Sequence, residues 1–385
     1  MKKILIYILA LTAMSVTASV TIENSLTPKD REPIKFDLEM TIGVEDGDTH
    51  EVFGSSIFFV ITQNHDICVL DPSGFRVILF DAKGKVLKSF GQKGQGPGEF
   101  QAPSEIAIDS QGQLYVFDAM TKKIAVFSKD GEWIENRDLP QGVVAVMNPY
   151  LLDSGRFIFT SVKLDQEFQQ AYVLGTMDKT IESFRPIISL PSPKMDWSKM
   201  GEPSFGAKFL KGHFDAIASG FPTATPLGDG FIAFNSSKYE GVAYDNEHTQ
   251  KWMMTKEHKP MPYSKEAKYA LCEAIYDGIR SSGTIGNVVN EASFNSAFRD
   301  ADLPEFILPL TSLFPWDKGF GVLTNYKSST KKGTVQLFDQ EGRFIREGVF
   351  QGPAGIRVMK DGWLYASGVD EDYVTKIYKY KVNGL

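Results

Sequence analysis

The chain has 385 residues, 42% of them hydrophobic and 23% charged, with a formal net charge of −7. This apolar content excludes a largely disordered protein, and the acidic balance gives no basis for nucleic-acid binding. Two cysteines, Cys68 and Cys272, are too few for a disulfide scaffold or a zinc site of their own and are expected as buried free thiols.

Lys2 and Lys3 precede an apolar run from Ile4 to Met14, and Val16-Thr17-Ala18 then supplies small residues. That order is a secretory signal, and the run is shorter than the ~20 residues of a membrane-spanning helix. Residues 1–18 are therefore expected to be removed, leaving an exported chain in the periplasm or outside the cell. No membrane span is expected, and no cysteine near the cut offers a lipid anchor. Residues 19–33 are expected as a lead and residues 34–385 as the folded body.

A repeat follows. Asp71 and Asp118, Phe80 and Phe127, and Gly84 and Gly131 are each 47 residues apart. An aromatic residue with glycine four positions later recurs at Phe338/Gly342 and Tyr380/Gly384, with weaker copies at Leu174/Asp178 and Tyr244/His248. Around each anchor, short β-branched and aromatic runs alternate with Gly/Asp/Asn turns, which are strand and hairpin signals. Four strands per unit and about 45 residues per repeat predict propeller blades. Six anchors predict an all-β, six-bladed β-propeller. The last copy stops at Leu385 without a fourth strand, whereas Ile34 to Ile42 alternates apolar and polar residues. The N-terminal strand is therefore expected to pair with the last blade and close the ring, which avoids an open edge.

The stretch Gly91-Gln-Lys-Gly94-Gln-Gly96-Pro97-Gly98-Glu-Phe100-Gln-Ala-Pro103, with Ile106-Ala-Ile-Asp109 and Leu114-Tyr-Val-Phe-Asp118, resembles an NHL-type repeat. The whole chain resembles the exported six-bladed propellers common in Bacteroidetes. The specific motif covers roughly residues 52–138. That resemblance implies the fold and an envelope or extracellular location, and it carries over no catalytic residue. NHL-like propellers elsewhere include ligand-binding modules, a metal-dependent lyase and calcium-dependent lactonases.

Excess chain gathers on one face, where blade-to-blade connections and the loops between second and third strands lie. Insertions are expected at about 189–220 and 255–304. The first holds Pro191, Pro193, Trp197, Phe205, Phe209 and His213; the second, after blade four, holds a helix from Ser264 to Ile279 with Ser264 as its N-cap. Its stripe of Tyr269, Cys272, Ile275, Tyr276 and Ile279 is expected to pack on the propeller. Loops 161–170, 325–333 and 367–375 enlarge the same face. Loops concentrated at one end of a rigid scaffold commonly mount a binding site.

Aligning the innermost strands places Phe58, Glu105, Asn148, Thr223, Ser312 and Gly355 at one level of the channel mouth. Two positions on come Val60, Ala107, Tyr150, Thr225, Phe314 and Arg357. Glu105, Asn148 and Thr223 form a poor calcium set, with one carboxylate where that ion takes six to eight oxygens. No cofactor or metal is therefore expected, with a calcium ion at the channel mouth kept as the alternative. The five histidines give no zinc spacing. Asp71 and Asp118 are expected to hold the turn before the third strand. The expected function is non-enzymatic binding of a protein, peptide or glycan by a monomer. Its expected contacts are Arg76, Glu105, Asn148, Tyr150, Thr223, Lys238, Tyr326 and Arg357. The alternative is a divalent-metal-dependent hydrolase or lyase at the channel mouth, discriminated by a calcium-dependent rise in melting temperature.

Overall fold

The computed structural model describes residues 20–47, 50–164, 170–180, 183–191, 195–202, 204–280, 288–306 and 310–385. The expected signal segment lies outside them.

Six blades, each built on four strands, follow one another along the chain, blades five and six being joined in one eight-stranded sheet through the Trp316–Met359 bridge. Blade one is β3 (Phe58–Ile61), β4 (Ile67–Asp71), β5 (Arg76–Phe80) and β6 (Val86–Phe90). Blade two is β7 (Pro103–Ile108), β8 (Leu114–Asp118), β9 (Lys123–Phe127) and β10 (Trp133–Asp138). Blade three is β11 (Val143–Leu151), β12 (Arg156–Leu164), β13 (Gln170–Asp178) and β14 (Phe184–Pro191). Blade four is β15 (Pro222–Leu227), β16 (Gly230–Asn235), β17 (Glu240–Tyr244) and β18 (Gln250–Lys256). Blade five is β19 (Ser312–Trp316), β20 (Gly319–Lys327), β21 (Lys332–Asp339) and β22 (Phe344–Gln351). Blade six takes β23 (Gly355–Lys360), β24 (Trp363–Val369) and β25 (Thr375–Asn383) from the C-terminal end and β2 (Lys35–Ile42) from the N-terminal end. Strand β2 runs antiparallel to β25, with Phe36 opposite Val382 and Ile42 opposite Ile377.

The core is a ring of apolar seams, one between each pair of neighbouring blades. Leu70, Phe100 and Val116 join blades one and two, and Phe117, Val126 and Phe157 join two and three. Ile158 meets Phe231 between three and four, and Phe234 meets Phe320 between four and five. Val335 and Leu364 join five and six, while Phe59 and Tyr365 join one and six. Burial on both faces of each sheet explains the continuous apolar runs of the second strands, since neighbouring blades cover both sides.

The repeat anchor has a backbone cause. The glycine four residues after the aromatic turns the chain in the left-handed region, at φ 83° in Gly84, 76° in Gly131 and 78° in Gly342. His248 adopts the same conformation at φ 63°, so blade four keeps the turn without the glycine. In blade three the anchor is Met177 rather than Leu174. Met177 pairs with Phe157 as Phe127 pairs with Leu114, and Leu174 lies in mid-strand. A longer third strand displaced the motif there.

Residues 20–33 are held against the blades. Strand β1 (Val20–Asn24) adds in parallel to β18 as a fifth strand on blade four. The backbone N–H groups of Lys29, Asp30 and Ile34 then donate to Phe344, Ile345 and Glu347 on blade five, before β2 completes blade six. Asn24 is buried at the first crossing, donating to the Thr255 and Gly342 carbonyls and accepting from the Phe344 N–H. One N-terminal strap thus crosses three blades.

Among the described residues the insertions hold three α-helices, α1 (Phe205–Ser219), α2 (Lys265–Arg280) and α3 (Glu291–Asp300), and a 3-10 turn at Trp197–Lys199. The Ala267 N–H donates to the Ser264 hydroxyl, which caps α2. The α2 stripe packs on the other helices instead of on the propeller. Cys272 and Tyr276 join Phe205, Phe209, Phe214 and Phe294 in a seventh apolar cluster, and Tyr269 meets Phe294 and Phe298 edge to face. The two insertions bury each other's apolar faces, which leaves little for the blades to cover. Two of the expected long loops are shorter than expected because strands extend into them, as β20 reaches Lys327 and β24 reaches Val369. Half of the third, 165–169, lies outside the described residues.

Candidate functional site

Each blade begins at the elaborated face, so the first residues of the inner strands surround that mouth of the channel. Three of the six inner strands carry a bulge beside their second-strand partner. These are β7 between Pro103 and Glu105, β11 between Met147 and Tyr150, and β23 between Ile356 and Val358. Bulges re-aim side chains and gather beside functional sites. They occur at the strands that supply Glu105, Asn148 with Tyr150, and Arg357.

In β11 the break centres on two residues. Pro149 has no N–H to give the ladder, and together with the left-handed Asn148 before it the pairing slips between Met147 and Tyr150, whereas Pro226 in β15 and Pro315 in β19 keep their register. Asn148 takes φ 51°, a left-handed conformation that asparagine tolerates, although the following proline disfavours it. Its freed N–H donates to the Glu105 carboxylate at 2.9 Å. Glu105 is 6% exposed, and burial pushes its carboxyl up to about 7, opposed by the Arg357 charge and the Asn148 N–H.

Arg357 reaches across the channel from blade six to blade three. Its guanidinium donates to the Pro149 carbonyl at 2.7 Å and sits 4.2 Å from the centre of the Tyr150 ring. The Tyr150 hydroxyl donates back to the Arg357 carbonyl at 3.2 Å. Burial raises the Tyr150 phenol above its usual range, so it remains a neutral donor. The channel is therefore bridged, and a small apolar cavity of about 160 Å³, walled by Val60, Ile108, Leu151 and Val358, lies against the bridge.

The remaining sequence candidates sit elsewhere. Arg76 is engaged by Asp71 and the Val52 carbonyl, fastening the start of blade one. Thr223 is half-buried on β15, two residues before the fully buried Thr225, whose hydroxyl has no partner among the described residues. Lys238 is exposed in the β16–β17 connection. Tyr326 donates to the Gly352 carbonyl and walls a cleft of about 670 Å³ between α2 and the tip of the β20–β21 hairpin, with Met261, Tyr263 and Leu271 opposite.

Asp71 and Asp118 hold turns through backbone N–H groups, Asp71 from Gly54 and Gly74, Asp118 from Gln101, Ala102, Met120 and Thr121. Cys68 and Cys272 are buried free thiols. Among the described residues, no three His, Cys, Asp or Glu side chains gather to hold a metal ion, and no helix is long and apolar enough to cross a membrane.

Sequence reasoning reached Glu105, Asn148, Tyr150 and Arg357 as separate positions on a ring. It missed the bulges that bring them together, and the Pro149 carbonyl that receives Arg357. An inner-strand proline was no signal by itself, because Pro226 and Pro315 lie in inner strands that keep their register.

A family model described as a 6-bladed beta-propeller matches residues 49–188, which span blades one to three. NHL repeat-containing protein 3 of Homo sapiens is 37% identical over 78 residues, 19% of this chain and 22% of that protein. Protein lin-41 of Caenorhabditis elegans is 40% identical over 53 residues, 14% of this chain and 4% of that protein. The chain thus spans under a quarter of the length of either relative. Among solved structures, an exported protein of Bacteroides fragilis aligns over 94% of this chain and 99% of its own, with a TM-score of 0.53 and 12% identity. That likeness is one of fold. Repeat, strand count and family match agree on the same architecture: the chain is a six-bladed β-propeller with NHL-like repeats, similar in fold to an exported propeller of Bacteroides.

Proposed function

We propose that this protein is an exported, non-enzymatic binding propeller, working as a monomer in the periplasm or outside the cell without a lipid anchor. Its ring is closed by the N-terminal strand, and the helical insertion after blade four belongs to the binding face. The mouth of that face receives a polar tip of a protein, peptide or glycan. Glu105, Asn148, Tyr150 and Arg357 meet the tip, and Tyr326 and Lys238 lie further out on the rim. Arg76 and Thr223 are left out of this set, Arg76 because Asp71 and Val52 already take its donors.

The observation that supports this reading is the placement of three bulges at the strands carrying those side chains. Irregular pairing weakens a ladder, and it recurs where it aims a side chain at a ligand. A guanidinium pre-stacked on an aromatic ring retains spare donors, the arrangement that interfaces use for directed polar recognition.

The test is capture from the native envelope fraction by the wild-type chain, Arg357→Lys and Arg357→Ala. Loss of a captured component with Arg357→Ala, and partial retention with Arg357→Lys, is expected. Identical capture by all three overturns the assignment of the mouth.

A further inference from the structure

A second cleft opens on the opposite, plain face, at the seam between blades five and six. The strap, the β19–β20 turn and the start of β22 form its walls, and it encloses about 500 Å³. Lys29 and Arg31 come from the strap, Lys318 from the turn and Arg346 from β22. Trp316 and Ile345 supply its apolar part. The strap delivers its two cations because the Lys29 and Asp30 N–H groups pair with the Phe344 and Ile345 carbonyls.

Charge there runs against the molecule as a whole, whose net charge is −7. Arg346 is already committed, to Asp30 and to the Gly384 carbonyl. Lys29, Arg31 and Lys318 are exposed, and no ion pair holds any of them among the described residues. Asp317, next to Lys318, accepts from the Asp361 N–H. Four cations, Lys29, Arg31, Lys318 and Arg346, thus line one concave surface with Trp316, against two anions in the same lining, Asp30 and the carboxylate of Leu385, so a positive excess remains. Like charges held close repel, and such a cluster is relieved by an anion.

We infer that this cleft is a binding site for a tetrahedral oxyanion, a phosphate or sulfate ester whose attached group rests on Trp316 and Ile345. Arg31 supplies the forked donors that match two oxyanion oxygens, while Lys29 and Lys318 act as point charges. The committed Arg346 sets the shape of the wall. This site is independent of the channel mouth, because the two lie on opposite faces of the ring.

The test is isothermal titration of the full chain at low ionic strength with inorganic phosphate, inorganic sulfate, glucose 6-phosphate, glucose 6-sulfate and glucose. At least one oxyanion is expected to bind, with affinity falling as salt rises, while glucose alone does not bind. The sugar esters binding more tightly than the inorganic ions would assign a role to Trp316 and Ile345. Lys29→Gln/Arg31→Gln/Lys318→Gln is expected to lose tenfold or more in affinity. Lys129→Gln, in the β9–β10 turn and paired with Asp130, should bind as the wild type does. If the triple variant fails to fold by circular dichroism, Lys318→Gln alone should lose threefold or more. No heat from any oxyanion, or equal binding by the substituted chain, overturns the site.

Discussion

The Arg357 guanidinium lies 4.2 Å from the centre of the Tyr150 ring, joining blade six to blade three across the middle of the ring. Neighbouring blades share apolar seams, but these two are three places apart. The contact therefore braces the ring along a diameter. Replacing Arg357 by alanine removes the stacking, the bond to Pro149 and the cation that opposes the burial of Glu105. A loss of about 2 kcal/mol is expected in urea unfolding, with Arg357→Lys losing about half of that. An unchanged midpoint for Arg357→Ala would show that the brace contributes nothing to stability.

Glu105 makes stability depend on pH in a defined window. Its carboxyl is raised from its ordinary 4.5 to about 7. Between those values the folded chain keeps a proton that the unfolded chain has released, so stability falls as pH rises through the window. The contribution is complete below about 4.5 and lost above about 7. Glu105→Gln keeps an oxygen for the Asn148 N–H and has no proton to lose. Relative to the wild type, this variant should gain stability progressively from pH 4.5 to 7.5. A constant difference across that range would contradict the raised carboxyl.

Asn24 satisfies three backbone groups at the crossing of blades four and five. Alanine there leaves the Phe344 N–H and the Gly342 carbonyl without their partner in a buried place. A cost of about 2–3 kcal/mol is expected by chemical denaturation. The same measurement on Thr21→Ala, an exposed neighbour on β1, should differ from wild type by less than about 0.5 kcal/mol.

The helical cap and the propeller should separate in a thiol assay. Gly206 lets α1 approach the 288 backbone, where a Cβ would meet the Val288 carbonyl oxygen at 2.1 Å. Gly206→Val should loosen α1 from that segment. Cys272 lies in the helical cluster and Cys68 lies between blades one and two. Burial pushes these thiols up to about 11 and about 12, so neither reacts in the native wild type at neutral pH. In Gly206→Val, Cys272 should label at least tenfold faster while Cys68 stays protected. Equal acceleration of both would mean that cap and ring unfold together.

The ring was legible because its signal is covalent spacing. Phe80, Phe127 and Phe338 mark strand ends, and the glycines that follow them have a backbone reason to recur. Glu105, Asn148 and Arg357 were legible as channel residues because inner strands alternate. Their contacts were not, since a bulge changes the pairing by one residue without changing composition. Helices α1 and α3 were missed although Asn290 before Phe294, Ala297 and Phe298 is a capped helical pattern. Strand β1 offered less: five residues on a parallel edge have meaning only once β18 is in place beside them.

The strap ties the order of synthesis to the order of assembly. Blades four, five and six take their outermost cover from residues 20–42, which are made before any of those blades exists. That segment must wait, unpaired, while the sheets it will cover are still being translated. Contacts between residues more than two hundred positions apart form slowly, because the intervening chain must first be folded back. The expected result is a late, single closing event in refolding, in which the half-ring of blades one to three gains protection from hydrogen exchange before the half under the strap.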